Sequence, residues 1–200
     1  KNCYALILAD SIIKSIASGN ITVNRDGSFP EEFYTSLAGE ILHLFSESDE
    51  ELVVIYLKQM MHILRSAGIV KKEKKHATVS LPSSREDFFI KILRSFWNET
   101  DWIDIFPSSV ELAQKLHSTR FVFIDFLQEF FIPVNSSDLI ADFFDMTEIA
   151  EKDDAFAISF VEFYLLSWLK NFAIIEYDDT SLNPTVILSD YGRKILKLLN

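Results

Sequence analysis

Paired carboxylates that could support acid–base chemistry occur at Asp101 and Asp104, three positions apart and beside Trp102 and Phe106. Two positioned carboxylates are one way to transfer protons in a transition state. The aromatic neighbours favour a plainer interpretation, a loop held by buried rings, in which the acids are solvated or cap a helix. We therefore expect no catalytic role for this pair.

A second acidic cluster follows at Glu148, Glu151, Asp153 and Asp154. It lacks the glycine and the alternate spacing of a calcium-binding loop. Acids at this density are typical of a solvated loop that leads into a helix, whose N-terminus attracts negative charge. The cluster predicts a helix start at Asp154 and no cation site.

The remaining residue types with catalytic or metal-binding potential are scattered. His43, His62, His76 and His117 are far apart and have no companion cysteine, so no zinc spacing occurs. No nucleophile elbow, phosphate loop, dinucleotide fingerprint or zinc-protease helix is found in the sequence. We expect a protein that is not an enzyme and has no cofactor, with His43 and His62 on apolar helices, either partly buried or at the flank of the apolar face.

Basic and amide side chains suited to nucleic acid gather in one region, and such groups can contact phosphates and base edges. The candidate DNA-binding residues are Lys58, Gln59, His62, Arg65, Lys71, Lys72, Lys74 and Lys75. The alternative is that the lysines only protect the exposed edge of a hairpin.

The element that would carry these residues occurs twice, 105 positions apart. Leu64–Leu81 and Leu169–Leu188 each begin at the end of an apolar helix, enter a strand at two aliphatic residues, cross a polar tip and return on T-V-x-L. Acids at Asp49 and Asp154 precede the two helices. This pattern predicts a helix followed by a β-hairpin in each half of the chain.

Helical periodicity and capping residues predict the other elements. Helices are expected over 3–18, from Pro30 to about 45, from an N-cap at Ser48 to Gly68, over 84–97, from Ser108 or Ser109 to Leu116, from Ser118 to Phe131, from about Asn135 to Met146, over 155–171, and after Ser189. A short strand is expected at Ile21–Val23. The Phe-rich stretch Phe121, Phe123, Phe126, Phe130 and Phe131 is predicted as core, part of which could instead be a partner-binding face.

The order helix, helix, helix, hairpin in each half resembles that of tandem winged-helix proteins. Ser189–Leu196 (SDYGRKIL) resembles the ending found after many wings, and Ile21–Pro30 resembles the entry of helicase-associated winged-helix regions of the XPB type. The fold predicted is mainly α with small β-hairpins (α+β), a tandem winged helix-turn-helix. Its predicted parts are a first unit at 1–82, a connecting helix and linker at 83–107, and a second unit at 108–200.

Charge separates the two halves. Residues 101–179 carry 16 acidic and 4 basic side chains, and the chain as a whole carries −11. The second copy presents Glu162, Ser167 and Lys170 on its third helix and Glu176, Asp178 and Asp179 on its wing, which phosphate would repel. The acid could also serve only to keep a Phe-rich surface soluble.

The single cysteine, Cys3, suggests a reducing, cytoplasmic setting, and no apolar run is long enough to span a membrane. We expect a non-catalytic interaction module, a region of a larger bacterial protein, that assembles with protein and could also contact DNA through the first unit. The alternative is a dimeric winged-helix transcription regulator. The sequence leaves the partner and the oligomeric state open.

Overall fold

The computed structural model describes residues 3–19, 21, 23–24, 26–45, 49–73 and 76–198. The chain is mainly helical, with small antiparallel sheets, and it divides into two compact units. The N-terminal unit is Tyr4–Ile105, and the C-terminal unit begins at Phe106 and also includes Cys3. The segment 83–107, predicted as a connection, therefore contributes its residues up to Ile105 to the N-terminal unit.

The described residues of the N-terminal unit form five α-helices and one hairpin. The helices are α1 (Tyr4–Ala17), α2 (Glu31–Ile41), α3 (Glu50–Ser66), α4 (Arg85–Arg94) and α5 (Trp102–Ile105). A 3-10 turn at Leu42–Leu44 follows α2, and a π-helical turn at Ser95–Glu99 continues α4. The hairpin pairs β1 (Val70–Glu73) with β2 (His76–Val79), and Val70 lies opposite Val79.

Helix α3 lies at the centre of this unit, where it packs against α1, α2, α5 and the π-helical turn. Its apolar face includes Leu57, Met60 and Leu64, all fully buried. Side chains of this size each contribute about 1.5–3 kcal/mol when removed from water. Trp102 is also fully buried and stacks on Phe96 at 5.5 Å between ring centroids. The loop predicted at 101–106 is therefore anchored by aromatic rings, and it contains the short helix α5.

The C-terminal unit has the same kinds of element. Its helices are α6 (Val110–Leu127), α7 (Ser136–Thr147), α8 (Ala155–Phe160), α9 (Ser167–Asn171) and α10 (Asp190–Ile195). A π-helical stretch, Val161–Leu166, joins α8 to α9, so that 155–171 is one continuous helix, which we call the composite helix. A 3-10 turn at Leu196–Leu198 follows α10.

Three strands form the sheet of this unit: β3 (Val134–Asn135), β4 (Ile175–Asp178) and β5 (Thr185–Leu188). Their order is β3-β5-β4 and both pairings are antiparallel. Val186, at the centre of the sheet, lies opposite Val134 on one side and Tyr177 on the other. Strand β3 was not predicted, because two residues are too few to show strand periodicity.

The repeat at a spacing of 105 is present in the structure. Asp49 and Asp154 are the N-caps of α3 and α8, and each carboxylate accepts a hydrogen bond from the backbone three residues on. Both hairpins form, and in each the strand-entry carbonyl, of Ile69 or Ile174, accepts a hydrogen bond from the serine that follows the returning strand. The predicted helix–hairpin units are thus confirmed as secondary structure.

The two helix ends are also the same. The amides of Gly68 and Ile69 donate to the carbonyls of Arg65 and Leu64 at 2.9 Å, and the corresponding bonds from Ala173 and Ile174 are 2.8 Å. This crossed pair of bonds is the Schellman motif, which needs a residue with positive φ after the helix. Gly68 and Ala173 have φ values of 64° and 58°.

Three local predictions were wrong. Ser118 does not begin a helix, because α6 continues through it and its hydroxyl donates to the Gln114 carbonyl one turn back. Ile21 and Val23 lie outside any strand, and Thr22 lies outside the described residues. Ser48 also lies outside them, and the cap assigned to it belongs to Asp49.

The Phe-rich stretch is only partly core. Phe123 is fully buried, whereas Phe131 is 80% exposed, with the Arg193 guanidinium 5.1 Å from its ring centroid. The helix that carries the stretch ends at Leu127, so Phe131 lies on a loop and not on the inner face of α6. His43, expected to be partly buried or at the flank of its helix, is exposed.

Candidate functional site

The predicted DNA-binding residues of α3 mostly have partners within the N-terminal unit. The Lys58 ammonium is 2.7 Å from the Glu31 carboxylate and lies 5.9 Å from the ring centroid of Tyr34. Burial raises the pKa of Tyr34 to about 12, so this phenol is neutral at ordinary pH. Lys58 therefore already has a carboxylate and a neutral aromatic ring as partners within the unit.

Gln59 is not available to a ligand. Its side chain is 5% exposed, and its amide nitrogen donates to the Ile105 carbonyl at 2.6 Å. The bond links α3 to α5 in the core of the unit. The prediction that Gln59 contacts DNA is wrong, since the helical register turns this residue inward.

His62 and Arg65 lie on the outer side of α3, and each has a partner. The His62 Nδ1 atom is 3.7 Å from the Asp104 carboxylate. Burial lowers the pKa of His62, and the negative charge of Asp104 offsets part of that effect. The Arg65 guanidinium donates to the Gly27 carbonyl and lies 5.6 Å from the ring centroid of Phe29.

The hairpin supplies the other predicted cations. Lys71 and Lys72 on β1 are exposed, and the aliphatic part of Lys72 lies against the turn at Gly27. Lys74 and Lys75 lie outside the described residues. The structure thus brings the outer side of α3 and the first hairpin into one unit, but Lys58, His62 and Arg65 are engaged in contacts inside that unit.

The first turn of α3 is acidic and not basic. Asp49, Glu50 and Glu51 are exposed there, followed by Ile55 at 38% exposure. An open depression of about 840 Å³ lies beside this turn, between α2 and α3. Its lining residues are Glu31, Thr35, Asp49, Glu50, Glu51, Val54, Ile55 and Lys58.

The composite helix, which occupies the corresponding place in the C-terminal unit, carries exposed aromatic residues. Phe156 is 57% exposed and Phe163 is 43% exposed, with exposed Ser159 between them. The positions 105 earlier in the chain are Glu51 and Lys58. Two charged positions of the first copy are thus apolar and solvent-facing in the second.

The other residues expected on the outer side of the composite helix already have hydrogen-bond or ion-pair partners within the unit. Glu162 accepts hydrogen bonds from the hydroxyls of Ser136 and Ser137 at the start of α7. Ser167 is buried and donates to the Glu162 carbonyl at 3.2 Å within the π-helical stretch. Lys170 pairs with Asp179 of the second wing at 2.7 Å.

A second concave surface, which we call the acidic groove, lies at the start of the composite helix. It is a depression of about 880 Å³ bordered by α6, the end of α7 and the loop 148–154. Its lining residues are Ser109, Glu111, Leu112, Lys115, Phe144, Asp145, Glu148, Ile149, Ala150, Glu151, Lys152, Asp153, Asp154 and Phe156. The buried side chains of Leu112, Phe144 and Ile149 form its apolar part.

Three contacts hold the groove in shape. Lys115 is 2.8 Å from the Glu111 carboxylate and also donates to the Ile149 carbonyl at 3.0 Å, which ties the loop to α6. The hydrogen bond and the positive charge of Lys115 lower the pKa of Glu111. Asp154 accepts a hydrogen bond from the Ala157 amide at 3.0 Å as the N-cap of α8.

Sequence reasoning identified the acids of this loop and their role in starting a helix, but it missed the groove. The sequence signal that could have indicated the groove was Phe156, an aromatic residue that closely follows four acidic ones. Within the described part of the chain, no group of three His, Cys, Asp or Glu side chains is placed to hold a metal ion. Likewise, the described helices include none that is both long and apolar enough to cross a membrane.

Comparison with known proteins adds no relative: no family model, no curated protein and no solved structure matches the chain.

Proposed function

We propose that the chain is a tandem winged-helix protein that acts as a non-catalytic protein-interaction module, as a region of a larger bacterial cytoplasmic protein. The element order supports the fold assignment, because each unit has three helices followed by a hairpin. The pairing of β3 with β5 adds support, since it joins the segment before the second helix of that unit to the returning strand of its wing.

One observation carries the choice of protein over DNA as the main partner. In both units the third helix begins with exposed acids beside an exposed apolar side chain: Glu50, Glu51 and Ile55 in α3, and Asp153, Asp154 and Phe156 at the composite helix. A helix-turn-helix protein places the first residues of this helix against base edges. Carboxylates there would face phosphate, whereas exposed apolar side chains rimmed by polar ones mark protein contacts.

DNA contact through the first hairpin is the second candidate, and the exposure of Lys71 and Lys72 favours it. Labelled duplex DNA titrated at low and moderate salt separates the two candidates, using the wild type and a Lys71/Lys72/Lys74/Lys75→Ala variant. We expect no binding that depends on these lysines. Tight, strongly salt-dependent binding that the variant loses would instead support the regulator function.

The protein-binding function is tested with a phage-displayed library of random peptides selected on the full chain. We expect enriched peptides whose binding falls when Ile55 or Phe156 is replaced by serine. Replacement of Leu182, which is fully exposed on the second wing, is the matched control. If no peptide is enriched, or if all three variants retain every peptide, the proposal is overturned.

A further inference from the structure

We infer that the acidic groove binds a basic segment of a partner protein that presents a bulky apolar side chain. The inference rests on the proposed function and names the class of partner for one of its surfaces. It comes from the chemistry of the groove itself, which joins an apolar floor to a carboxylate rim, and each part selects a different feature of the occupant.

The apolar floor of the groove (Leu112, Phe144 and Ile149) and Phe156 at its edge favour a partner that presents an apolar side chain. A depression of about 880 Å³ has room for a large side chain and its neighbours, and binding sites commonly fall between about 300 and 1,000 Å³. Phe156 stands at the edge with 57% of its surface exposed. Leu112, Phe144 and Ile149 are already buried, so an aliphatic or aromatic side chain seated against Phe156 would mainly cover the exposed part of that ring. A covered aromatic ring is the anchor arrangement found at the centre of protein interfaces.

The rim selects positive charge. Six carboxylates and two lysines line the groove, and one of those lysines, Lys115, already pairs with Glu111. Asp145, Glu148, Glu151 and Asp153 are exposed, and no ion pair joins any of them to another described residue. Clustered like charges around a concave surface raise the local concentration of an oppositely charged partner.

An exposed aromatic residue of the composite helix beyond the groove indicates how long the bound segment is. Phe163 is a second exposed aromatic residue on the composite helix, seven residues after Phe156, or about 10 Å along the helix at a rise of about 1.5 Å per residue. A basic segment of several residues can therefore contact both the carboxylates of the groove and Phe163, whereas a free cation contacts the carboxylates alone.

The experiment uses the peptides selected on the full chain, synthesised with a fluorophore and titrated by anisotropy at low and moderate salt. We expect lysine or arginine next to a bulky apolar residue in them. A rim variant, Glu148→Gln/Glu151→Gln/Asp153→Asn, should weaken binding at low salt by about tenfold, because three carboxylates that attract the basic segment lose their charge together. Asp154 is kept, since it caps α8.

A matched variant, Glu40→Gln/Glu99→Gln/Glu129→Gln, removes the same charge from exposed positions elsewhere and should change affinity by less than about twofold, as distant surface charges are screened. Phe156→Ser should weaken binding and Leu182→Ser should not. Equal losses in the rim and matched variants would mean that net charge alone attracts the peptide and would overturn the inference.

Two further results would overturn it. The first is spermine, which has the charge but no apolar side chain, binding as tightly as the peptide. The second is selected peptides that lack basic residues or ignore the rim variant. In that second case the proposed function would still stand if peptide binding fell on replacement of Ile55 or Phe156, whereas a selection that enriches nothing would overturn both.

Discussion

Gly68 and Ala173 lie 105 positions apart and end two corresponding helices with the same left-handed backbone, at φ values of 64° and 58°. Both complete a Schellman motif with the residue that starts the following strand. An alanine pays a steric cost in this conformation that glycine avoids, because its Cβ approaches the following carbonyl. The two units thus use one turn with two different residues.

This pair predicts stability changes of opposite sign. Ala173→Gly should stabilise the chain by about 0.5–1 kcal/mol, since relief of a strain of about 1–2 kcal/mol exceeds the added entropy of an unfolded glycine. Gly68→Ala should destabilise by about 1–2 kcal/mol. Urea unfolding followed by circular dichroism measures both, and changes of the same sign would contradict the prediction.

A comparison of Gly192 with Gly39 tests the close approach of α10 to the backbone at Ile174. A Cβ on Gly192 would lie 2.0 Å from the backbone carbonyl oxygen of Ile174, so Gly192→Ala must push α10 away from the start of β4. We expect a loss of about 2 kcal/mol or more, the usual cost of overpacking. Thermal unfolding is the measurement.

Gly39→Ala is the control for that variant. Gly39 is exposed within α2 and a Cβ there meets no atom within 4 Å. The helix should gain about 0.5–1 kcal/mol from alanine. A Gly192→Ala protein as stable as Gly39→Ala would show that the contact with Ile174 is not maintained in solution.

Gln59→Leu tests whether this residue is structural. The substitution keeps the volume but removes the donor to the Ile105 carbonyl, and an unsatisfied buried carbonyl costs about 1–3 kcal/mol. Gln114→Leu at an exposed position of α6 should change the free energy of unfolding by less than about 0.5 kcal/mol. Equal effects of the two substitutions would contradict a core role for Gln59.

His62 gives a pH-dependent prediction. Because burial lowers its pKa below the ordinary 6.5, the unfolded chain binds a proton more readily than the folded one. The stability linked to His62 is therefore present above pH 6.5 and is lost as the pH falls below it. Asp104→Asn should lower the pKa of His62 further, which an NMR titration of the imidazole protons measures. A rise in the pKa of His62 in this variant would be the opposite of what the geometry predicts.

Much of the fold was accessible from the sequence because its signals are local. Asp154, the apolar composite helix, the turn at Gly68 and both hairpins follow from cap chemistry and periodicity within a few residues. The repeat at 105 strengthened each assignment, since the same order of signals occurs twice.

The misses have both non-local and local causes. Gln59 looked like a ligand-binding side chain, and only the position of the Ile105 carbonyl, 46 residues away, turns it into a core residue. Ser118 has the chemistry of a cap, but a serine hydroxyl can also bond back to the carbonyl four residues earlier inside a helix. The acidic groove required α6, α7 and the loop 148–154 to meet, which no single stretch of sequence encodes.

The Asp154 carboxylate accepts a hydrogen bond from the backbone amide of Ala157 and also lines the acidic groove. An ammonium or guanidinium group that binds this carboxylate in the groove would draw electron density from the acceptor of the Ala157 amide hydrogen bond. The chemical shift of the Ala157 amide is therefore an intrinsic spectroscopic probe of occupancy, readable in a nitrogen–proton correlation spectrum without any attached label.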